Sequence, residues 1–219
     1  MSSMGGADLK EILTRVHFTI EEHKDYLSKL DTEIGDGDHG FSIANGLKHV
    51  YEKLDEFGAG GIGDLLKKSG FEIIKVVGGA SGAVFGTLFT GQASYYSKNL
   101  TGKDALSLED MTNMLSEALA QIKQRGGAQA GDKTMIDALE PAIEELRKAV
   151  QSKLSFREAF EKAAVKAREG AESTRNMVAK RGRSKNVGQR SLGFIDPGAM
   201  STALIFGAIA EYFKEKESR

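Results

Sequence analysis

The chain has 219 residues, of which 28% are charged and 40% hydrophobic, and a formal net charge of −1; this is an ordinary globular composition with no general attraction to nucleic acid or to an anionic membrane. Cysteine is absent, which excludes disulfides, thiolate metal sites and a cysteine nucleophile. No apolar run approaches the roughly 18 residues of a membrane span and the N-terminus shows no apolar signal segment, so no membrane association is expected and the expected location is the cytoplasm.

Only 2 prolines stand against 26 glycines, and the glycines gather between long periodic segments. That pattern predicts long helices joined by glycine-rich loops. Residues 1–7 are expected to be a disordered lead, followed by a single domain over 8–219. The first helix is predicted over 8–29, with Leu9, Ile12, Leu13, Val16, Ile20 and Leu27 on one stripe. A second runs from about His39 to Leu54. A glycine-rich turn at 58–63 precedes a third, from Asp64 to Val77, and Gly78–Gly82 separates it from an apolar fourth, from Ala83 to Tyr96. Ser107 is a good N-cap for a fifth helix ending near Lys123. After a loop at 126–131 the sixth runs from about Lys133 to Val150, with Pro141 either a kink or its true first turn. The seventh covers 155–180. A basic loop, Arg181 to Gly193, leads to Asp196-Pro197-Gly198, where Asp196 is a plausible N-cap and Pro197 a favoured first residue of the last helix. The expected fold is all-α: an eight-helix, antiparallel, up-and-down bundle or barrel with no convincing strand.

The segment Leu30-Asp-Thr-Glu-Ile-Gly-Asp-Gly-Asp-His-Gly40 packs Asp31, Asp36 and Asp38 into eight residues. Three carboxylates that close repel one another unless a cation lies between them. The intervening glycines let the backbone turn tightly so that the side chains can converge. Hard oxygen ligands without cysteine suit Mg²⁺ or Ca²⁺ rather than zinc or copper. Four glycine-containing loops each open a helix, at 35–40, 78–82, 126–131 and 193–198. In an antiparallel bundle alternate helices start at the same end, so helices two, four, six and eight bring all four loops together. Helix N-termini present free N–H groups and a positive dipole end, which favours bound anions. The aspartates, the stacked loops and the basic segment therefore point to a metal–phosphate site at one end of the bundle.

Three other patterns fail on context. Gly58-Ala-Gly-Gly-Ile-Gly63 fits a dinucleotide fingerprint and Gly126–Thr134 resembles a P-loop, but neither follows a strand. Asp36-Gly-Asp38 as the start of an EF-hand would put Leu47 where a glutamate is required.

Leu30-Asp31-x-x-Ile-Gly-Asp36-Gly-Asp38-His39-Gly40, Gly78-Gly-Ala-Ser-Gly82, Gly131-Asp-Lys-Thr-Met135, Arg181-Gly-Arg183 and Gly188-x-Arg-Ser-x-Gly193 to Asp196-Pro197-Gly198 resemble, in order, the nucleotide-binding L subunits of bacterial dihydroxyacetone kinases. The resemblance implies an eight-helix barrel holding ADP or ATP and two Mg²⁺ ions at one end. It implies that Asp31, Asp36 and Asp38 are the metal ligands. It places nucleotide contacts at His39, Gly40, Phe41, Ser42, Ala80, Ser81, Gly126, Met135, Arg183, Asp196, Pro197 and Gly198. It implies no catalytic base on this chain, phosphoryl positioning falling to the three aspartates and Arg183. The implied partners are a K subunit that carries dihydroxyacetone and a phosphohistidine protein of the phosphotransferase system that rephosphorylates bound ADP; a transcription regulator is a further one. The rival readings are the nucleotide domain of an ATP-exchanging kinase for another acceptor, and a nucleotide-loaded signalling partner.

Overall fold

Apolar stripes at helical spacing dominate the chain. In the computed structural model, which describes residues 3–218, they become α1 (Gly6–Ile34), α2 (His39–Glu52), α3 (Leu54–Gly58), α4 (Ile62–Val77), α5 (Gly79–Asn99), α6 (Leu108–Gly126), α7 (Ile136–Gln151), α8 (Phe156–Ser173) and α9 (Pro197–Glu217). Short 3₁₀ segments lie at Thr174–Asn176 and Arg183–Ser191. Apart from the five-residue α3, eight long helices remain. Each packs on its neighbour in sequence, and α9 returns to pack on α1. The result is a closed antiparallel ring around one apolar core, as the periodicity predicts.

Local chemistry starts and closes these elements. Ser107 accepts a hydrogen bond from the Asp110 N–H while the Asp110 carboxylate accepts from the Ser107 N–H, a reciprocal cap on α6, and Ser155 and Glu158 do the same for α8. Asp196 caps α9, with Pro197 as its first residue. The ring closes through stacked rings between α8 and α9, with Phe156 and Phe160 centroids 4.8 and 5.2 Å from Phe213. Between α1 and α9, Asp8 accepts from the Tyr212 hydroxyl and from Lys216 at 2.5 Å.

Several boundaries differ from the sequence expectation, each for a local reason. The lead is ordered from Met4 onward: Met4–Gly5 (β1) pairs antiparallel with Ala105–Leu106 (β2), and Met4 is wholly buried. Met1 and Ser2, and Arg219 at the other end, lie outside the described residues. The first helix continues past 29 because Ile34 extends its buried stripe, which puts Asp31 in its last turn rather than in a loop. The sixth long helix, α7, starts after Lys133, because that residue adopts a left-handed φ of +61°. The seventh, α8, stops at Ser173, where the carbonyls of Thr174 and Met177 are taken by the Lys133 ammonium.

Pro141 lies inside α7 and has no N–H to return to the Asp137 carbonyl. Helix α8 crosses at that point, and a Cβ on Gly170 would stand 2.1 Å from the Asp137 carbonyl oxygen. Gly170→Ala, which raises helix propensity, is therefore expected to destabilise the protein by about 1–3 kcal/mol through overpacking. A urea midpoint equal to or above that of the wild type would show that the two helices separate freely.

Candidate nucleotide and metal site

The second, fourth, sixth and eighth long helices, α2, α5, α7 and α9, do begin at one end of the ring. Between their N-termini lies a cleft of about 260 Å³. Its polar side carries Asp31, Asp36 and Asp38. One carboxylate oxygen from each can be chosen so that all three lie within 4.8 Å of one another. Asp31 is buried and accepts the His39 N–H at 3.2 Å, while Asp36 and Asp38 are exposed at the mouth. Burial pushes the Asp31 carboxyl up, and the neighbouring charges of Asp36 and Asp38 push it further. Arg183 reaches across the mouth, donating to Asp36 and, at 3.0 Å, to Asp38. Desolvation raises the Asp36 carboxyl, but the Arg183 hydrogen bond and charge outweigh it and leave it below the usual range. The cluster thus already draws a cationic group to itself. Three convergent hard-oxygen donors, one of them desolvated, fit Mg²⁺.

Free backbone donors face the same space. In α5 the first helical bond runs from the Gly82 N–H to the Gly78 carbonyl, so the N–H groups of Gly79, Ala80 and Ser81 have no helical acceptor. Positive φ at Gly78 and Gly79 (+65° and +55°) forms the turn that presents them. Apolar side chains line the same cleft: Val77, Val84, Phe85, Ile122 and Met135, with Pro197. A cleft lined by apolar side chains together with backbone donors and carboxylates suits a ligand such as a Mg–nucleotide, which has an apolar ring and a charged tail.

His39 sits in the wall, stripped of solvent, and burial lowers its pKa to about 4, so it is neutral near pH 7. Ser201 donates its hydroxyl to the Pro197 carbonyl at 2.9 Å, so at the 2.7 Å contact it accepts from the His39 Nε2–H. That assignment leaves Nδ1 as the acceptor nitrogen of the ring.

Of the residues singled out from sequence, Asp31, Asp36, Asp38, His39, Ser42, Ala80, Ser81, Gly126, Met135, Arg183, Asp196, Pro197 and Gly198 all line the cleft. Gly40 and Phe41 do not. Gly40 packs against α1, where a Cβ would stand 1.9 Å from the Lys24 carbonyl oxygen, so it is needed for helix approach. Phe41 is exposed on the outer face of α2, its ring centroid 5.9 Å from the Lys24 ammonium. The sequence reading missed Lys133, Thr134 and Arg181, as well as the apolar wall. Lys133 stands in the Gly-Asp-Lys-Thr turn, which the sequence marks as a helix-opening loop and a family motif though not as a P-loop, and nothing in its spacing marks it as buried.

The Gly131–Met135 turn is a second structural centre. Asp137 accepts the N–H groups of Gly131 at 2.5 Å and Thr134 at 2.8 Å, which fixes the turn. Asp132 is buried, and its carboxylate meets Lys180 at 3.4 Å and Arg181 at 3.5 Å. Desolvation holds the Lys133 ammonium below the ordinary lysine value, opposed by the charge of Asp196.

Residues 33–211 match the DAK2 domain. Over 97% of this chain and the whole of that protein, the chain is 37% identical to the ADP-binding subunit DhaL of the PEP-dependent dihydroxyacetone kinase of Escherichia coli (strain K12). It is 34% identical to the ADP-binding subunit DhaL of the PTS-dependent dihydroxyacetone kinase of Lactococcus lactis subsp. lactis (strain IL1403), over 92% of this chain and 94% of that one. Among solved structures, the dihydroxyacetone kinase of C. freundii in complex with AMP-PNP and Mg²⁺ superposes with a TM-score of 0.73 at 28% identity. That match covers 96% of this chain but only 35% of the C. freundii protein. A closed helical ring with a carboxylate-lined mouth is the class that fold and site define; within it, the chain belongs to the DAK2-domain family.

Asp196 gives a pH test independent of ligands. Burial, opposed by its hydrogen bond from the Ala199 N–H, raises its carboxyl from 3.8 to about 7. A raised carboxyl makes the folded state hold the proton longer than the unfolded chain, so stability is full in acid and is lost as pH rises from about 4 through about 7. His39, lowered from 6.5 to about 4, contributes the opposite slope over part of that window. The difference between wild type and Asp196→Asn, in metal-free buffer, isolates the aspartate: the variant, which keeps a good N-cap, gains relative stability as pH rises from 4 to 7. A pH-independent difference would contradict the raised carboxyl.

Proposed function

We propose that the chain is the nucleotide-holding subunit of a dihydroxyacetone kinase of the phosphotransferase-dependent kind, working in the cytoplasm. In this reading ADP held in the cleft is phosphorylated in place by a phosphohistidine protein, and the γ-phosphoryl then passes to dihydroxyacetone on a separate K subunit, giving dihydroxyacetone phosphate. The observation that carries it is the pairing of an apolar slot with three convergent carboxylates at the gathered helix N-termini, in a chain spanning the whole length of an ADP-binding DhaL subunit. Among the described residues, no helix is long and apolar enough to cross a membrane.

The residues divide the work by chemistry. Asp31, Asp36 and Asp38 are the ligands for two Mg²⁺ ions, which when bound neutralise charge on the phosphate oxygens. Asp31, fixed by the His39 N–H, supplies the inner anchor, and the exposed pair faces the mouth where acceptor and donor proteins approach. The N–H groups of Gly79, Ala80 and Ser81 orient phosphate oxygens without adding mobile charge. Val77, Val84, Phe85 and Met135 take the base and keep water from that side. Arg183, already spanning two carboxylates, lies within reach of a phosphate bound beside them. Phosphoryl transfer depends on positioning and charge more than on a nucleophile of this chain, so no base is required here. Gly40 acts from outside the cleft, through the packing of α2 on α1.

An ATP-exchanging kinase and a signalling partner of a transcription regulator are separable by one reconstitution. The purified chain is mixed with a K subunit, dihydroxyacetone and a phosphohistidine donor, without free ATP. Product formation by the wild type, falling at least about 100-fold in Asp36→Ala and Asp38→Ala, is the expected result, as for loss of a comparable electrostatic element. Turnover only with added ATP would establish the exchanging kinase, and full activity in either aspartate variant would sink the metal assignment.

A further inference from the structure

Between α8 and α9 the chain leaves the ring as a strap, residues 178–193, that carries Arg183 over the cleft. Its base is closed by one side chain. Lys133 is 1% exposed, and its ammonium donates to the carbonyls of Thr174 at 2.9 Å and Met177 at 3.2 Å before the strap. It also donates to Ser191 and Phe194, both at 2.6 Å, at the far end. Three protons serve four carbonyls, so the charge is spent wholly on backbone. The left-handed φ of +61° at Lys133 turns the residue out of helical register at this point. Other bonds follow the same seam: the Lys180 N–H to the Asp132 carbonyl at 3.1 Å, and the Ala179 N–H to the Ser191 hydroxyl at 2.9 Å. Met135 and Ile136, which line the cleft, lie two and three residues after Lys133. Cleft wall and strap base therefore share one anchor.

We propose that Lys133 is a positioning residue: it ties both ends of the strap to the cleft wall and so sets where Arg183 stands over the carboxylates and how long a bound nucleotide is kept. The second half of this statement rests on the nucleotide reading of the cleft; the first does not. Lys133 borders the cleft, but its ammonium is taken up by four backbone carbonyls, so it acts through the placement of Arg183. A lysine is suited to the task because it offers three donors from one point and can satisfy carbonyls that converge from two separated segments.

Two readouts test it on the full chain. Trypsin, with Lys180, Arg181, Arg183, Lys185 and Arg190 as its targets in the strap, should cut Lys133→Met there at least about tenfold faster than the wild type, at a temperature where both keep full helicity. Dissociation of a fluorescent adenine nucleotide in Mg²⁺ buffer should quicken about tenfold or more in Lys133→Met and in Arg183→Ala, and no further in the double variant, because both remove one coupled element. A residue that merely stabilised the core would leave strap cleavage at the wild-type rate and give multiplying effects with Arg183→Ala; either result overturns the proposal. Should Lys133→Met fail to fold, Ser191→Ala, which frees the Ala179 N–H at the same seam, is held to the same two criteria with smaller effects. If the wild type binds no nucleotide, the nucleotide reading fails, and the cleavage result alone decides the role of Lys133.

Discussion

Three carboxylates whose oxygens come within 4.8 Å of one another, one of them buried, form the constraint around which the rest is arranged. Nothing in folding favours that arrangement: burial and mutual repulsion both raise the energy of the ionised cluster, and the upward shift of Asp31 shows it. The cluster persists because other elements hold it. Helix α1 delivers Asp31 from a turn already committed to the core by Leu27 and Ile34, and the first turn of α2 binds it through the His39 N–H. Arg183 offsets the exposed pair from across the mouth. A site that is costly without a cation and well ordered is preorganised to gain from one, and the same concentration of negative charge keeps a bare anion away.

Ring parity turns this local feature into a site. Because the chain runs through eight alternating passes and closes on itself, α2, α5, α7 and α9 all start at one end. Their first turns supply donors that no intrahelical carbonyl can use. The opposite end of the ring is given to packing, as where the first turns of α8 stack on the last turns of α9. Donor-rich helix starts, carboxylates and apolar wall are brought together by topology alone, while Lys133 and Asp132 fasten the strap that completes the mouth.

Much of this was legible in the sequence, and the physical reason differs from residue to residue. Helices show because buried positions recur at the helical period, as along α1, and caps show because Ser107, Ser155 and Asp196 carry side chains that satisfy orphan N–H groups. The aspartates show because three of them in eight residues, at a glycine-rich turn, are hard to explain without a cation. Gly40 is placed at the site by the family resemblance alone, and the structure uses it for the approach of α2 to α1. What stayed hidden depends on contacts between distant segments. Burial of Lys133 is set by carbonyls more than forty residues away, and Val84, Phe85 and Ile122 look like any other core positions until the helix ends are placed in space. The pairing of Met4 with Leu106 is hidden for the same reason.

In the proposed function the carboxylate-lined cleft holds a Mg–nucleotide as a resident of the protein. A denaturing extract of freshly purified protein, assayed for adenine nucleotide and for Mg²⁺, tests it most directly. The account predicts near-stoichiometric ADP, with about two metal ions per chain as expected for a two-metal phosphoryl-transfer site. A protein that emerges empty and shows no affinity for ADP or ATP with Mg²⁺ present would contradict it.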